Sequence, residues 1–414
     1  MMRLKNITYN YISKNKYRFL LIVFLSFSFH TDIFAQGVLY PGEIFSVKER
    51  EDDFKGALKL SILKDEKNKG LIRLNDQTGK PYIYSTADID ANEIRDMKIG
   101  DVDNDGEDEI AIITKLHLYI MEKVGNKFVI DENKTTPLYG PERKGNPNVL
   151  SPQIELQDSR PLPEEKREGG RIAIGDVTND GKNEIVLTRT FMTPFEFQTI
   201  VPAYICINDI LQWKDGYFEV IDAISAGNYK CGIFIEDVDQ DGLNELIIGG
   251  NTISIFKSVT QYDEIVEWDP KRWWGRAFNK GYKILGIINV GANAGHIKLA
   301  VEKHDGKLLM SYCVQWDIGP EFITKNIGKI KTIELDPRVI NEGGVESGKF
   351  KRYNITEFKE IGKPIQLPVT TYKNDRIPYV NLKSLVVGKI NDTGQLEIIA
   401  NMEKEALLLK IERK

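Results

Sequence analysis

An all-β chain built from repeated small sheets is the fold this sequence predicts, and three observations carry that expectation. An acidic loop flanked by two short apolar runs occurs three times, with a worn fourth copy. The runs between the loops are short, apolar or alternating, and bounded by Gly, Asn and Pro, with no helical spacing. The loops recur at intervals of 75, 61 and 152 residues, counted between Asp101, Asp176, Asp237 and Lys389, and the last interval leaves room for two further units. Repeats of this size, each with several strands, predict a β-propeller. Strand counting gives seven blades, with six as the alternative, and an N-terminal strand near Glu43–Lys48 completing a last blade that has only three strands of its own.

The clearest loop lies in IGDVDNDGEDEIAIIT, residues 99–114. Asp101, Asp103 and Asp105 stand at alternate positions, Gly106 allows a left-handed turn, and Glu109 follows. A calcium ion takes six to eight oxygens at about 2.3–2.6 Å. The three aspartates, the backbone carbonyl of Glu107 and the side chain of Glu109 form such a set. An EF-hand begins the same way but needs a Glu at its twelfth position and helices on both sides. Here the twelfth residue is Ile112 and the flanks are strand-like, so an EF-hand is rejected.

The second copy, residues 174–189, offers Asp176, Thr178, Asp180, the carbonyl of Lys182, and Glu184. The third, residues 235–250, offers Asp237, Asp239, Asp241, the carbonyl of Leu243, and Glu245. The fourth, residues 387–402, starts with Lys389 and has Thr393 at the fifth position. Ligand charge ranks them: two strong Ca2+ sites, one weaker site at Asp176, and a metal-free turn at Lys389.

These motifs resemble the FG-GAP/VCBS repeat family, calcium-loop β-propellers that include the integrin α-subunit headpiece. The four copies carry the resemblance over about half of the chain beyond residue 36. It implies a propeller fold and bound calcium, and says little about activity, since propellers host many unrelated functions.

Taken in order, residues 1–36 have a basic start and an apolar run from Phe19 to Phe29, which is too short to span a bilayer but suits a signal peptide cut after Ala35. The expectation is export to a periplasmic, cell-surface or other extracytoplasmic compartment, with no membrane span in the mature chain. These residues hold five of the 56 basic and one of the 61 acidic groups, so residues 37–414 carry 51 and 60, a net charge of −9. A basic face for nucleic acid is not expected. Residues 37–95 read as a first blade without a metal loop, and the next blade ends at Asp131. Residues 132–169, rich in Pro and Gly, read as a long inserted loop, either a partner-contacting loop or a mobile insertion.

The third and fourth blades are placed at 170–228 and 229–278. The fourth ends in a cluster of Trp268, Arg272, Trp273, Trp274 and Arg276. Exposed tryptophans beside arginines suit a protein or glycan ligand; the alternative is that the rings fill the wedge between blades. The fifth blade is placed at 279–332, with NVGANAG replacing the acidic loop, a divergent sixth at 333–383, and a seventh at 384–414. The three cysteines, Cys206, Cys231 and Cys313, lie in apolar runs and read as buried small hydrophobes, with a Cys206–Cys231 bridge as the alternative.

Catalytic patterns are scarce. There is no phosphate loop, no CxxC and no GxSxG. His117, His296 and His304 are scattered, His117 and His304 reading as surface residues, and the clustered carboxylates are better metal ligands than acid/base pairs. No catalytic residue is assigned. The function expected is that of a secreted, calcium-stabilised, non-catalytic module binding another protein or a glycan, within a larger extracytoplasmic assembly. The alternative is a polysaccharide lyase on the same scaffold, marked by convergent Tyr, Arg and His at the central channel.

Overall fold

A computed structural model gives the architecture. It describes residues 38–40, 43–50, 56–64, 69–75, 81–90, 92–125, 127–139, 168–192, 204–227, 230–258, 276–277, 282–290, 296–316, 326–336, 345–347, 350–355, 358–371, 378–388, 395–402 and 406–411. Among them there is no helix, and none long and apolar enough to cross a membrane.

The chain opens with β1 (Val38–Tyr40), followed by a four-stranded meander of β2 (Glu43–Arg50), β3 (Gly56–Lys64), β4 (Lys69–Asn75) and β5 (Pro81–Asp90). The next sheet holds β6 (Ile94–Gly100), β7 (Glu109–Thr114) and β8 (His117–Val124), with β9 (Lys127–Ile130) and β10 (Thr136–Pro137) both paired to β8. A third sheet runs β11 (Gly169–Gly175), β12 (Glu184–Met192), β13 (Tyr204–Lys214) and β14 (Tyr217–Ser225). A fourth begins with β15 (Ile233–Glu236), β16 (Glu245–Gly249) and β17 (Thr252–Ser258). Then β18 (Arg276–Ala277) returns to the edge of β14, and β19 (Tyr282–Asn289) joins β17.

The fifth sheet holds β20 (His296–His304), β21 (Lys307–Trp316) and β22 (Lys329–Leu335). Beyond it, β23 (Val345–Ser347) and β24 (Phe350–Asn354) attach back to β19, while β25 (Phe358–Gln366) pairs with β22. β26 (Thr370–Thr371) pairs with β27 (Pro378–Tyr379), which meets β21. The last sheet is β28 (Leu382–Gly388), β29 (Glu397–Met402) and β30 (Ala406–Lys410), with β1 alongside β30.

The first strands β6, β11, β15, β20 and β28 follow one another side by side, so these five sheets are arranged as propeller blades. The β2–β5 sheet is described by its strand pairing, and β2 lies next to both β6 and β28.

The blade count is therefore below the seven expected, because the described strands within residues 333–383 do not make a blade of their own. Those strands are shared among the sheets of β15–β19 and β20–β22. The strand beside β30 is Val38–Tyr40; Glu43–Lys48 lies instead within β2, against β3. Residues 132–139 also belong to a blade, through β10. Of the insertion expected at 132–169, only 140–167 stay outside the described residues. Its two ends meet, since the Tyr139 hydroxyl donates to the Glu168 carbonyl at 2.7 Å.

Strand composition explains the layering. The second strands β7 (EIAIIT) and β16 (ELIIG) are buried along their whole length, as strands covered on both faces must be. β8 alternates at its start and is solvated at its end. Ile113 and Leu118 of one blade pack with Ile172, Leu187 and Leu211 of the next, and Val186 and Ile210 pack in turn with Ile233 and Leu246. Two glycines set the closeness of that approach. A Cβ on Gly100 would sit 2.8 Å from Ile174 Cγ2, and one on Gly169 would sit 2.1 Å from the Thr114 carbonyl oxygen.

Two buried arginines tie blades together. Arg189 on β12 forks onto Asp209 on β13, with Nη2 2.9 Å from Oδ1 and Nε bonded to Oδ2, and Nη1 donates to the Leu138 carbonyl of the preceding blade at 2.6 Å. Arg171 donates Nη1 to the Arg95 carbonyl at 2.9 Å and Nη2 to the carbonyls of Lys230 and Lys383, so four blades meet at one guanidinium. The three cysteines are free and buried, which excludes a Cys206–Cys231 bridge. His304 is also buried, at 8 % exposure, contrary to its reading as a surface residue. Its Nε2 lies 3.3 Å from the Asp305 carboxylate.

Candidate metal centre

Each acidic loop connects the first and second strands of a blade, β6 to β7, β11 to β12 and β15 to β16, so the three are equivalent by position. The last residue of each loop pairs across the ladder with the residue just before it: Gly100 with Glu109, Gly175 with Glu184, and Glu236 with Glu245. That register places all three glutamates at the mouth of a strand pair buried between blades. Glu109, Glu184 and Glu245 are 0 % exposed.

The loops are wound by their own carboxylates. Asp101 accepts from the backbone N–H of Asp105 and Gly106, both at 3.1 Å, and Glu109 Oε2 accepts from Val102 N–H at 2.8 Å. The second loop repeats this with Asp176, which takes Asp180 N–H at 3.0 Å and Gly181 N–H at 2.9 Å. In the third, Asp237 takes Gly242 N–H at 3.2 Å, and Glu245 Oε2 takes Val238 N–H at 2.8 Å.

In the first and third loops three carboxylates converge. One oxygen each from Asp101, Asp103 and Glu109 lie within 4.8 Å of one another, as do those of Asp237, Asp239 and Glu245. Asp105 and Asp241 stand outside these groups and accept from the N–H two residues on, Glu107 and Leu243. The Glu107 side chain turns to Lys123, 3.6 Å away, leaving only its carbonyl as a candidate ligand. The second loop makes no such group of acidic residues. Thr178 fills the middle place and donates its hydroxyl to Glu184 Oε1 at 3.2 Å.

The converging groups leave oxygens poorly served by donors. Glu109 Oε1 and Asp237 Oδ1 are buried and accept no hydrogen bond, and buried Glu245 Oε1 has only the Lys257 ammonium, 3.3 Å away. A buried carboxylate oxygen with nothing to bond is costly, and a divalent cation among these oxygens would satisfy it. Burial pushes the Glu109 carboxyl up to about 8, the neighbouring carboxylates adding to the effect. Burial likewise raises Glu184 and Glu245 to about 7. Donor set, burial and orphan oxygens together fit a hard cation.

Partners from neighbouring strands were not legible in the sequence. Lys257 on β17 faces Glu245 across the ladder, and its Nζ lies 2.9 Å from Asp239 Oδ2, 3.3 Å from Glu245 Oε1, and against Asp241. Lys134, between β9 and β10, bonds Asp103 in the first loop and Glu122 on β8, and lies 5.1 Å from the Trp213 ring centroid. Burial opposes both ammonium charges, but the bonds to these carboxylates outweigh it and hold both above the ordinary lysine range. In the second loop neutral Gln212 takes that place, donating to Asp180 and Glu184 at 3.0 Å each. For Lys257 and Gln212 a polar residue in the third strand is the signal of these contacts, and strand register is needed to use it; Lys134 comes from the turn between β9 and β10.

The fifth sheet has no counterpart loop. A two-residue turn at Asp305 and Gly306, with φ of 51° and 72°, joins β20 to β21 there. NVGANAG, expected in that place, lies between β19 and β20, with residues 291–295 outside the described residues. Lys389 and residues 391–394 of the worn loop lie outside them too, as do residues 1–36 and the proposed contacts Trp268, Arg272, Trp273 and Trp274. Arg276 is described by its backbone, paired with Ser225. No protein-family model and no curated protein matches this chain.

Proposed function

We propose that this chain is a calcium-stabilised propeller of the FG-GAP/VCBS kind, exported, and acting as a non-catalytic module that presents loops to a protein or a glycan. The observation that carries the calcium reading is the pair of buried, unbonded oxygens on Glu109 and Asp237, each within or beside a converging group of carboxylates. The ligand sets rank the sites as two strong, at Asp101 and Asp237, and one weaker, at Asp176. The binding reading is favoured over a lyase by Arg171, a candidate catalytic cation among the first strands, whose guanidinium is engaged by backbone carbonyls of three other blades.

Calorimetric titration of chelator-treated protein with calcium tests the metal reading. Two tight binding events and one weaker are expected. Asp237→Ala should remove a tight one and Asp176→Ala the weak one. Absence of any calcium heat would end the proposal.

Lys257 gives a second test. Its ammonium touches three carboxylates that the ion would need, so it competes with the metal for the same charge. Lys257→Met should tighten the Asp237 site by roughly tenfold, about 1.4 kcal/mol. A weaker site in this variant would mean that the lysine supports the loop rather than opposing the ion.

A further inference from the structure

The three acidic loops are joined to one another by side-chain clasps. In the first loop the Asn104 carboxamide grips the backbone of Asn183 in the second: Oδ1 accepts from Asn183 N–H at 2.6 Å, and Nδ2 donates to its carbonyl at 3.2 Å. Asn183 returns the contact, donating Nδ2 to the Asp101 carbonyl at 2.9 Å. The same three bonds recur one blade on. Asn179 Oδ1 takes Asn244 N–H at 2.7 Å, Asn179 Nδ2 donates to the Asn244 carbonyl at 3.2 Å, and Asn244 Nδ2 donates to the Asp176 carbonyl at 2.9 Å. From the third loop Gln240 donates to the Gly306 carbonyl at 2.6 Å, ending the series on the two-residue turn between β20 and β21.

Backbone shape makes the clasps available. Asn104, Asn179 and Gln240 have φ of 64°, 61° and 59°, a left-handed conformation that asparagine tolerates better than most residues. Each of the two asparagine clasps starts between two ligand positions of one loop, Asp103 and Asp105 or Thr178 and Asp180, and ends between two ligand positions of the next. Asn183 lies between Lys182, whose carbonyl is a candidate ligand, and buried Glu184. Asn244 stands likewise between Leu243 and Glu245.

We infer that metal binding at neighbouring loops is positively coupled through these clasps, so that the weak middle site tightens once a flanking site is filled. This rests on the calcium reading above. An ion held by Asp101, Asp103 and Glu109 fixes the backbone just before Asn104, together with the Asp101 carbonyl. The three clasp bonds then hold Asn183, and with it the two ligand positions of the second loop. Order already imposed by the first ion lowers the entropy lost on binding the second. Coupling of this kind is reciprocal and typically amounts to about 5–150-fold in affinity. Direct repulsion between two bound cations has the opposite sign, so the direction of coupling identifies its cause.

The test is calcium titration of the full chain carrying Asp237→Ala, which leaves the first and second loops to be read. Adding Asp101→Ala should weaken the second site about 5–150-fold, although Asp101 is no ligand there. Asn104→Gly keeps the left-handed turn and removes two of the three clasp bonds. It should weaken the second site to a similar degree while the first site still fills, and the two changes together should not add. A merely structural clasp would lower the melt in chelator but leave the second site's affinity in place. Unchanged affinity in Asn104→Gly, or tighter binding in Asp101→Ala, overturns the coupling while the sites themselves stand. Absence of calcium uptake at every loop removes the calcium reading and the coupling together.

Discussion

Replacing Arg189 with alanine is expected to lower the stability of the fold by about 3–5 kcal/mol, the usual consequence of leaving one half of a buried ion pair behind. The guanidinium and Asp209 are 0 % exposed, so water cannot take over the bonds that are lost. The Leu138 carbonyl, held at 2.6 Å, also loses a donor, and with it goes a tie between two blades. Chemical denaturation of wild type and variant measures the change. The double variant Arg189→Met with Asp209→Leu removes both charges and should recover most of the loss, because a buried pair is often no better than apolar residues of similar volume. A single variant as stable as wild type would show that the pair does not hold the blades.

The second large effect is the joint dependence of stability on calcium and pH. Burial raises Glu109 to about 8 and Glu184 and Glu245 to about 7, above the ordinary glutamate value of about 4.3. Between these limits the metal-free folded chain keeps protons that the unfolded chain has released. Stability therefore falls as pH rises, and each excess bound proton contributes about 1.4 kcal/mol per pH unit. Chelator-treated protein should thus melt at progressively lower temperature from about pH 5 to pH 8. Calcium binds the ionised carboxylates, so its stabilising increment should grow over the same window, reaching about 2.7 kcal/mol per site at a hundred times the dissociation constant. Scanning calorimetry with and without chelator across this range checks both trends. A chelated melt that climbs with pH, or a calcium increment indifferent to pH, would contradict the assignment of these glutamates.

The loops were readable in the sequence because their carboxylates are neighbours along the chain, and a tight turn needs no distant partner to bring them together. Asp101, Asp103 and Glu109 converge as expected, as do Asp237, Asp239 and Glu245. Contacts that depend on strand register were not readable. Lys257 reaches Asp239 because β17 lies against β16 at one offset and not the next, and nothing local to Lys257 encodes that offset. The same holds for blade boundaries. Tyr282–Asn289 has the apolar content of an inner strand and opens a blade when read alone, yet it pairs with β17 as the fourth strand of the sheet before. Residues 345–379 add strands to two different sheets, which no regular interval can reveal. His304 looked exposed because its turn is polar, while the ring itself is buried.

The pairing of Val38–Tyr40 with Ala406–Lys410 has a consequence in time. β1 is made long before β28, β29 and β30, so it waits unpaired until those strands have followed it. Closing so large a loop adds little to the free-energy cost, which grows only with the logarithm of length, but contacts this remote in sequence are slow to form. Once β30 has formed and until β1 docks, β30 offers a bare row of N–H and C=O groups, the kind of edge onto which a stray strand from another molecule adds. Val38–Tyr40 thus works as a guard against misassembly as much as a fastener, and a chain trimmed at its front would expose that edge permanently.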